Sequence, residues 1–135
     1  VAKLPEEVKE LMKGGHALWV ATMGEDGMPN ISYKGSGALL DDEHLFFADI
    51  FSQKTRENLL QNSHVALGIM SSDQSVVVQV KGVADMIQKG ELFDQVSAKM
   101  KKVSADLPPV KYVVRILVES VYDLSAGPNA GQKIA

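Results

Sequence analysis

Three turn signals of hairpin length, each set between short apolar runs, decide most of what this chain can become. Gly24-Glu25-Asp26-Gly27 separates a run at 16–23 from one at 28–34, Asp41-Asp42-Glu43 separates 38–40 from 44–49, and Ser71-Ser72-Asp73 separates 64–70 from 75–87. Strands joined by so few residues lie antiparallel, because a parallel pair needs a crossover of a dozen or more. A last run at 110–124, rich in Val and Ile, suits a further strand. Gly35-Ser36-Gly37 breaks or bulges the chain between two of these units. Helical patterns interrupt the series. Pro5, Glu6 and Glu7 suit a helix start, Val8, Leu11 and Met12 give it an apolar stripe, and Gly14-Gly15 stops it. A short helix is expected at 52–61, and an amphipathic one at 90–103 with Leu92, Phe93, Val96 and Met100 on one face, ended by Pro108-Pro109. Roughly six strands, mostly hairpin-connected, with two or three helices, predict an all-β fold closed into a small antiparallel barrel.

At 135 residues the chain has room for one core, so 1–125 reads as a single domain and the polar 126–135 as a flexible tail. Forty-five per cent hydrophobic and 23 per cent charged residues describe an ordinary globular protein. A formal net charge of −3, with scattered basic residues, argues against a nucleic-acid partner bound on a broad basic face. With no cysteine there are no disulfides, no Cys-based zinc sites and no thiol chemistry. No apolar segment approaches the roughly 20 residues that span a bilayer, and residues 1–5 carry no signal-like run. A soluble, cytoplasmic protein without a membrane partner is expected.

One stretch carries chemistry. Ser52-Gln53-Lys54-Thr55-Arg56-Glu57-Asn58-Leu59 follows the apolar run Leu45-Phe46-Phe47-Ala48-Asp49 and opens a helix with Ser52 as the natural N-cap. Free N–H groups, the positive helix end, the Lys54 ammonium and the hydroxyls of Ser52 and Thr55 would together favour a phosphate. The same residues also make an ordinary capped surface helix. Alternation sends Ser32 and Lys34 to one face of their strand, where Lys34 is either a second cation for that anion or an exposed strand lysine. Residues 47–51 offer an apolar wall and main-chain polar groups. His16, His44 and His64 lack the spacing of a metal site and read as structural or solvated. Asp41-Asp42-Glu43 is explained by turn chemistry, and Trp19 by a core or dimer-interface role. No Gly-rich phosphate loop, dinucleotide fingerprint or nucleophile–base arrangement stands out.

In order and spacing, four segments resemble the FMN-binding split-barrel family related to pyridoxamine 5′-phosphate oxidase, especially its small single-domain members. They are Ala21-Thr22-Met23-Gly24-Glu25-Asp26-Gly27-Met28-Pro29-Asn30-Ile31-Ser32, Leu45 to Asp49 with Ser52 to Leu59, His64-Val65-Ala66-Leu67, and Val78-Gln79-Val80-Lys81-Gly82-Val83-Ala84. The resemblance spans about residues 5–125. It implies a six-stranded antiparallel split β-barrel forming a homodimer with FMN at the interface. It also implies that Lys54 and Thr55, with Ser52 and Gln53, grip the flavin phosphate. Ser32, Tyr33 and Lys34 would contact the ribityl chain or phosphate, and Ala48, Asp49, Ile50 and Phe51 would lie along the isoalloxazine. The implied function is that of an FMN-binding redox protein, either an oxidoreductase or a small electron carrier, with no separate catalytic acid or base. Arg115 in the last strand and Lys133 in the tail are too few cations for the substrate phosphate of vitamin B6 oxidation. No histidine follows His64, so the C-terminal half offers no ligand of the kind that haem-degrading relatives would need. The alternative is a flavin-free or deazaflavin-binding split barrel serving as a binding or stress-response module. The tail is expected either to approach the flavin of the other subunit or to be disordered.

Overall fold

The hairpin signals close antiparallel pairs, as their spacing requires. In the computed structural model, which describes all 135 residues, β1 (Leu18–Met23) pairs with β2 (Pro29–Lys34), β3 (Ala38–Asp41) with β4 (His44–Asp49), and β5 (His64–Met70) with β6 (Val77–Ile87). The long β7 (Tyr112–Asp123) joins these units by pairing with β6 on one side and β4 on the other. The result is one antiparallel sheet in the order β2-β1-β5-β6-β7-β4-β3. It has seven strands where six were expected, because even the four-residue β3 pairs with β4, across a register shift between Leu39 and Asp41.

Three helices interrupt the sheet: α1 (Glu6–Met12), α2 (Lys54–Gln61) and α3 (Glu91–Val103). None is long and apolar enough to cross a membrane. Val8 and Met12 of α1 are fully buried, so this short helix contributes its apolar stripe to the interior. The main core joins them to Leu18 and Val20 of β1, Leu45 and Phe47 of β4, Leu59 of α2, and inward residues of β5, β6 and β7. Strands as far apart in the sheet order as β1 and β4 share this core only if the sheet curls on itself, an arrangement consistent with a split barrel. A smaller core of Ala48, Ile50, Val96, Val110 and Val113 lies under α3.

Two devices shape the curl. At Lys81/Gly82 the register with β7 shifts, and a Cβ on Gly82 would run into the Leu117 carbonyl and the Ile116 side chain. Glycine is therefore required where the long strands bend past each other. At the other device, β7 pairs with β4 only as far as Leu117, which leaves 118–123 with a free edge. Both chain ends occupy it. The Ala2 N–H donates to the Val118 carbonyl at 2.9 Å, and the 126–135 tail doubles back. Asp123 and Val121 donate to the Gln132 and Ala135 carbonyls, each at 2.9 Å, and Ala135 packs against the main core.

Candidate functional site

Strand β2 is amphipathic in the sense opposite to the core strands. Its inward residues are Asn30, Ser32 and Lys34, while Ile31 and Tyr33 stand outward, 67% and 58% exposed. The polar inward face meets the start of α2. Asn30 Nδ2 donates to Thr55 Oγ1 at 3.1 Å, and the Ser32 and Thr55 hydroxyls lie 2.8 Å apart. One turn on, Asn58 Nδ2 donates to Thr22 Oγ1 at 3.0 Å in a buried pair. Polar side chains, not apolar ones, therefore seat this end of α2 against β1 and β2.

Lys34 is buried, and its ammonium donates to the Ser52 hydroxyl. It also lies 5.9 Å from the centroid of the Phe47 ring, and no carboxylate pairs with it. The nearby acid is already committed. Asp49, 1% exposed, accepts from Arg56 Nε at 2.6 Å and Arg56 Nη2 at 3.0 Å, and from the Ser52 N–H at 3.2 Å. Burial pushes the Lys34 pKa below its ordinary 10.5; the Asp49 charge opposes that shift and the Arg56 charge adds to it. The hydrogen bonds that Arg56 donates to the Asp49 carboxylate raise the Arg56 pKa. A buried cation with an uncharged partner is costly, and an anion beside it would relieve that cost.

The turn into α2 departs from expectation. The helix begins at Lys54 with Gln53 at the N-cap, and no side chain caps it. Ser52, expected as the cap, instead gives its hydroxyl to Lys34 and its N–H to Asp49. The earliest helical bond runs from Glu57 N–H to the Gln53 carbonyl at 3.0 Å. The N–H groups of Lys54, Thr55 and Arg56 thus have no partner within the helix and remain available to an acceptor.

Beside Lys34 opens a cleft of about 590 Å³, walled by Phe46, Ala48, Ile50 and Phe51 from the β4 side and by Val96, Met100, Val103 and Leu107 from the α3 side. Its remaining walls come from residues 14–16, Tyr33, residues 35–38 and Lys99. The expected site residues divide in three. Tyr33, Lys34, Ala48, Ile50 and Phe51 line the cleft, whereas Ser32, Asp49, Ser52 and Thr55 form the polar network behind it. Gln53 and Lys54 are exposed, and the Lys54 ammonium sits 3.9 Å from Glu57.

Several site residues escaped the sequence reading. Asn30 shares the alternation of Ser32 and Lys34, so that signal was present in the sequence. The pairing of Arg56 with Asp49 and the α3 wall of the cleft had no local signal, because only folding brings these groups together. His16 also lines it, with Nδ1 at 2.7 Å from the Ala17 carbonyl oxygen, so Nδ1 is the donor.

Comparison with known proteins agrees with this architecture. The family model described as pyridoxamine 5′-phosphate oxidase matches residues 4–125. An uncharacterized protein of Methanocaldococcus jannaschii is 34% identical over 137 aligned positions, which take in all of this chain and 90% of that protein. Among solved structures, HupZ of Group A Streptococcus superposes with a TM-score of 0.78 at 26% identity, covering 95% of this chain and 99% of its own. A protein of Lactobacillus delbrueckii provisionally named pyridoxamine 5′-phosphate oxidase gives 0.73 at 29% identity, covering 89% of this chain and 93% of its own.

Proposed function

The chain belongs to the pyridoxamine 5′-phosphate oxidase family, and from that premise we propose that it is an FMN-binding redox protein, an oxidoreductase or small electron carrier, with the cofactor at a homodimer interface. One observation carries the reading. Lys34 holds a buried positive charge with only a hydroxyl as partner, at the junction of an apolar cleft and a helix start with free N–H groups. That junction suits a ligand with a dianionic head and a flat apolar body.

In this reading Lys34, Ser52, Thr55 and the first N–H groups of α2 hold the phosphate, with Lys54 at the exposed rim and Gln53 contributing main chain. Ser32 acts by orienting the Thr55 hydroxyl, and Tyr33 flanks the ribityl chain. Ala48, Ile50 and Phe51 provide the wall for the ring, and Asp49 serves through its backbone because its carboxylate belongs to Arg56 and Ser52. Bound flavin supplies the electron-transfer chemistry. The protein's residues bind it, orient it and exclude water.

The outer face of β2, β1 and β5 supports the dimer. Trp19, 50% exposed, stands opposite Tyr33 with ring centroids 5.0 Å apart. Ile31 and Met70 extend the same face. So much contiguous apolar surface on a sheet calls for a partner, and a second copy would also cover Phe51, which is 73% exposed.

The test is the visible spectrum of the purified protein, with identification of the chromophore released on heating. Yellow protein releasing stoichiometric FMN is expected. Colourless protein that cannot be reconstituted with FMN overturns the reading, and release of a deazaflavin would reassign the cofactor.

A further inference from the structure

From the way the charges at the start of α2 are paired, we infer that Arg56 is a positioning residue for the flavin phosphate: by holding the Asp49 carboxylate it keeps that group from becoming the counterion of Lys34. The inference rests on the FMN reading and deepens it, since it names the residue that keeps the cation of that site free. Arg56 does not line the cleft. Its Nε and Nη2 are both spent on Asp49, at 2.6 and 3.0 Å, so it acts through that carboxylate and not on the ligand.

Asp49 is an internal rival of the phosphate. Its side chain is 1% exposed, so the carboxylate must find its partners inside the protein. Ser52 bridges it to Lys34: the Ser52 N–H donates to Asp49 Oδ1 at 3.2 Å, and the Ser52 hydroxyl accepts from the Lys34 ammonium. The two charges are close enough that Asp49 favours the charged form of Lys34. A carboxylate and an ammonium so placed, with nothing else to hold either, would pair. The Arg56 fork prevents this, because its planar guanidinium engages both carboxylate oxygens at once, which a lysine cannot do. With Arg56 in place the Lys34 charge is left over for an incoming anion. Without it, Asp49 and Lys34 cancel, and the anion meets a neutral pair.

Thermal unfolding of flavin-free variants, with FMN titration of the same proteins, tests this. Arg56→Gln should stay folded, with Lys34 taking over Asp49. Lys34→Met, harmless in the otherwise unaltered chain, should then lower the Tm of Arg56→Gln by several degrees, because it orphans Asp49. Arg56→Gln should also bind FMN about tenfold more weakly. Adding Asp49→Asn to Arg56→Gln should recover most of that loss, since it removes the rival charge and leaves Lys34. Three outcomes would each overturn the inference: an Arg56→Gln protein that fails to fold, Lys34→Met as harmless there as in the unaltered chain, or a double variant whose affinity stays low. Unaltered protein that takes up no flavin overturns the cofactor reading, and the role in phosphate binding with it. Flavin-binding protein in which the thermal comparison, read without flavin, shows no exchange of partners overturns only the inference about Arg56.

Discussion

Lys34 carries a charge that the fold itself leaves without a counterion. Its nearest acid, Asp49, is held by Arg56, so the Lys34 ammonium has a hydroxyl and an aromatic face for company. Lys34→Met should therefore leave the flavin-free protein as stable as before or more so, by up to about 1 kcal/mol in urea unfolding. The same variant should lose about 10- to 100-fold in FMN affinity, the worth of a charge-assisted contact, read by fluorescence titration. A stability loss with unchanged affinity would make Lys34 structural. The pH dependence has a definite sign. With the folded pKa below the ordinary 10.5, the cost of the buried charge is present in full below that folded value and is relieved as pH rises through it towards 10.5. Flavin-free stability should rise over this window, FMN affinity should fall, and both trends should vanish in Lys34→Met.

At the scale of elements, α2 is seated through polar contacts that a single substitution can orphan. Thr55→Val removes the acceptor of Asn30 and the partner of Ser32 and should cost about 1–3 kcal/mol in urea unfolding. Unaltered stability would mean that water replaces the hydroxyl. In β6, Gly82→Ala drives a methyl into the Leu117 backbone, where a flexible side chain cannot yield, and about 1–3 kcal/mol of destabilisation is expected. The hairpin partners β1–β2, β3–β4 and β5–β6 were legible from turn residues alone, because a short connection leaves one pairing geometry. The start of α2 was not. Ser52 has the chemistry of an N-cap, but a buried lysine from another strand competes for its hydroxyl and wins, and the helix begins at Lys54.

For the whole molecule, the outward face of β2 and β1 and the closed edge of β7 make separate predictions. Ile31→Asp places a charge in the exposed apolar face and should convert the proposed dimer to monomers in sedimentation equilibrium. A dimer that persists would locate the interface elsewhere. Deleting 126–135 uncovers the β7 edge that the tail pairs with and should lower Tm by several degrees. A Tm unchanged by the deletion would mean that the tail adds nothing to the fold.

Pattern and turn chemistry in the sequence determined the antiparallel pairing, the three helices and the residues from which an anion site would be built, because these depend on neighbours close along the chain. The tertiary structure decided what those residues do. Curling of the sheet brings α3 over the end of β4 and makes a cleft from residues 14 to 107. It also turns Asp49 towards Arg56 and leaves Lys34 without a countercharge, while Lys54, the cation nearest the helix start in sequence, faces solvent. A side chain's charge is written in its identity, but whether that charge is paired, buried or free depends on groups that only folding brings within reach.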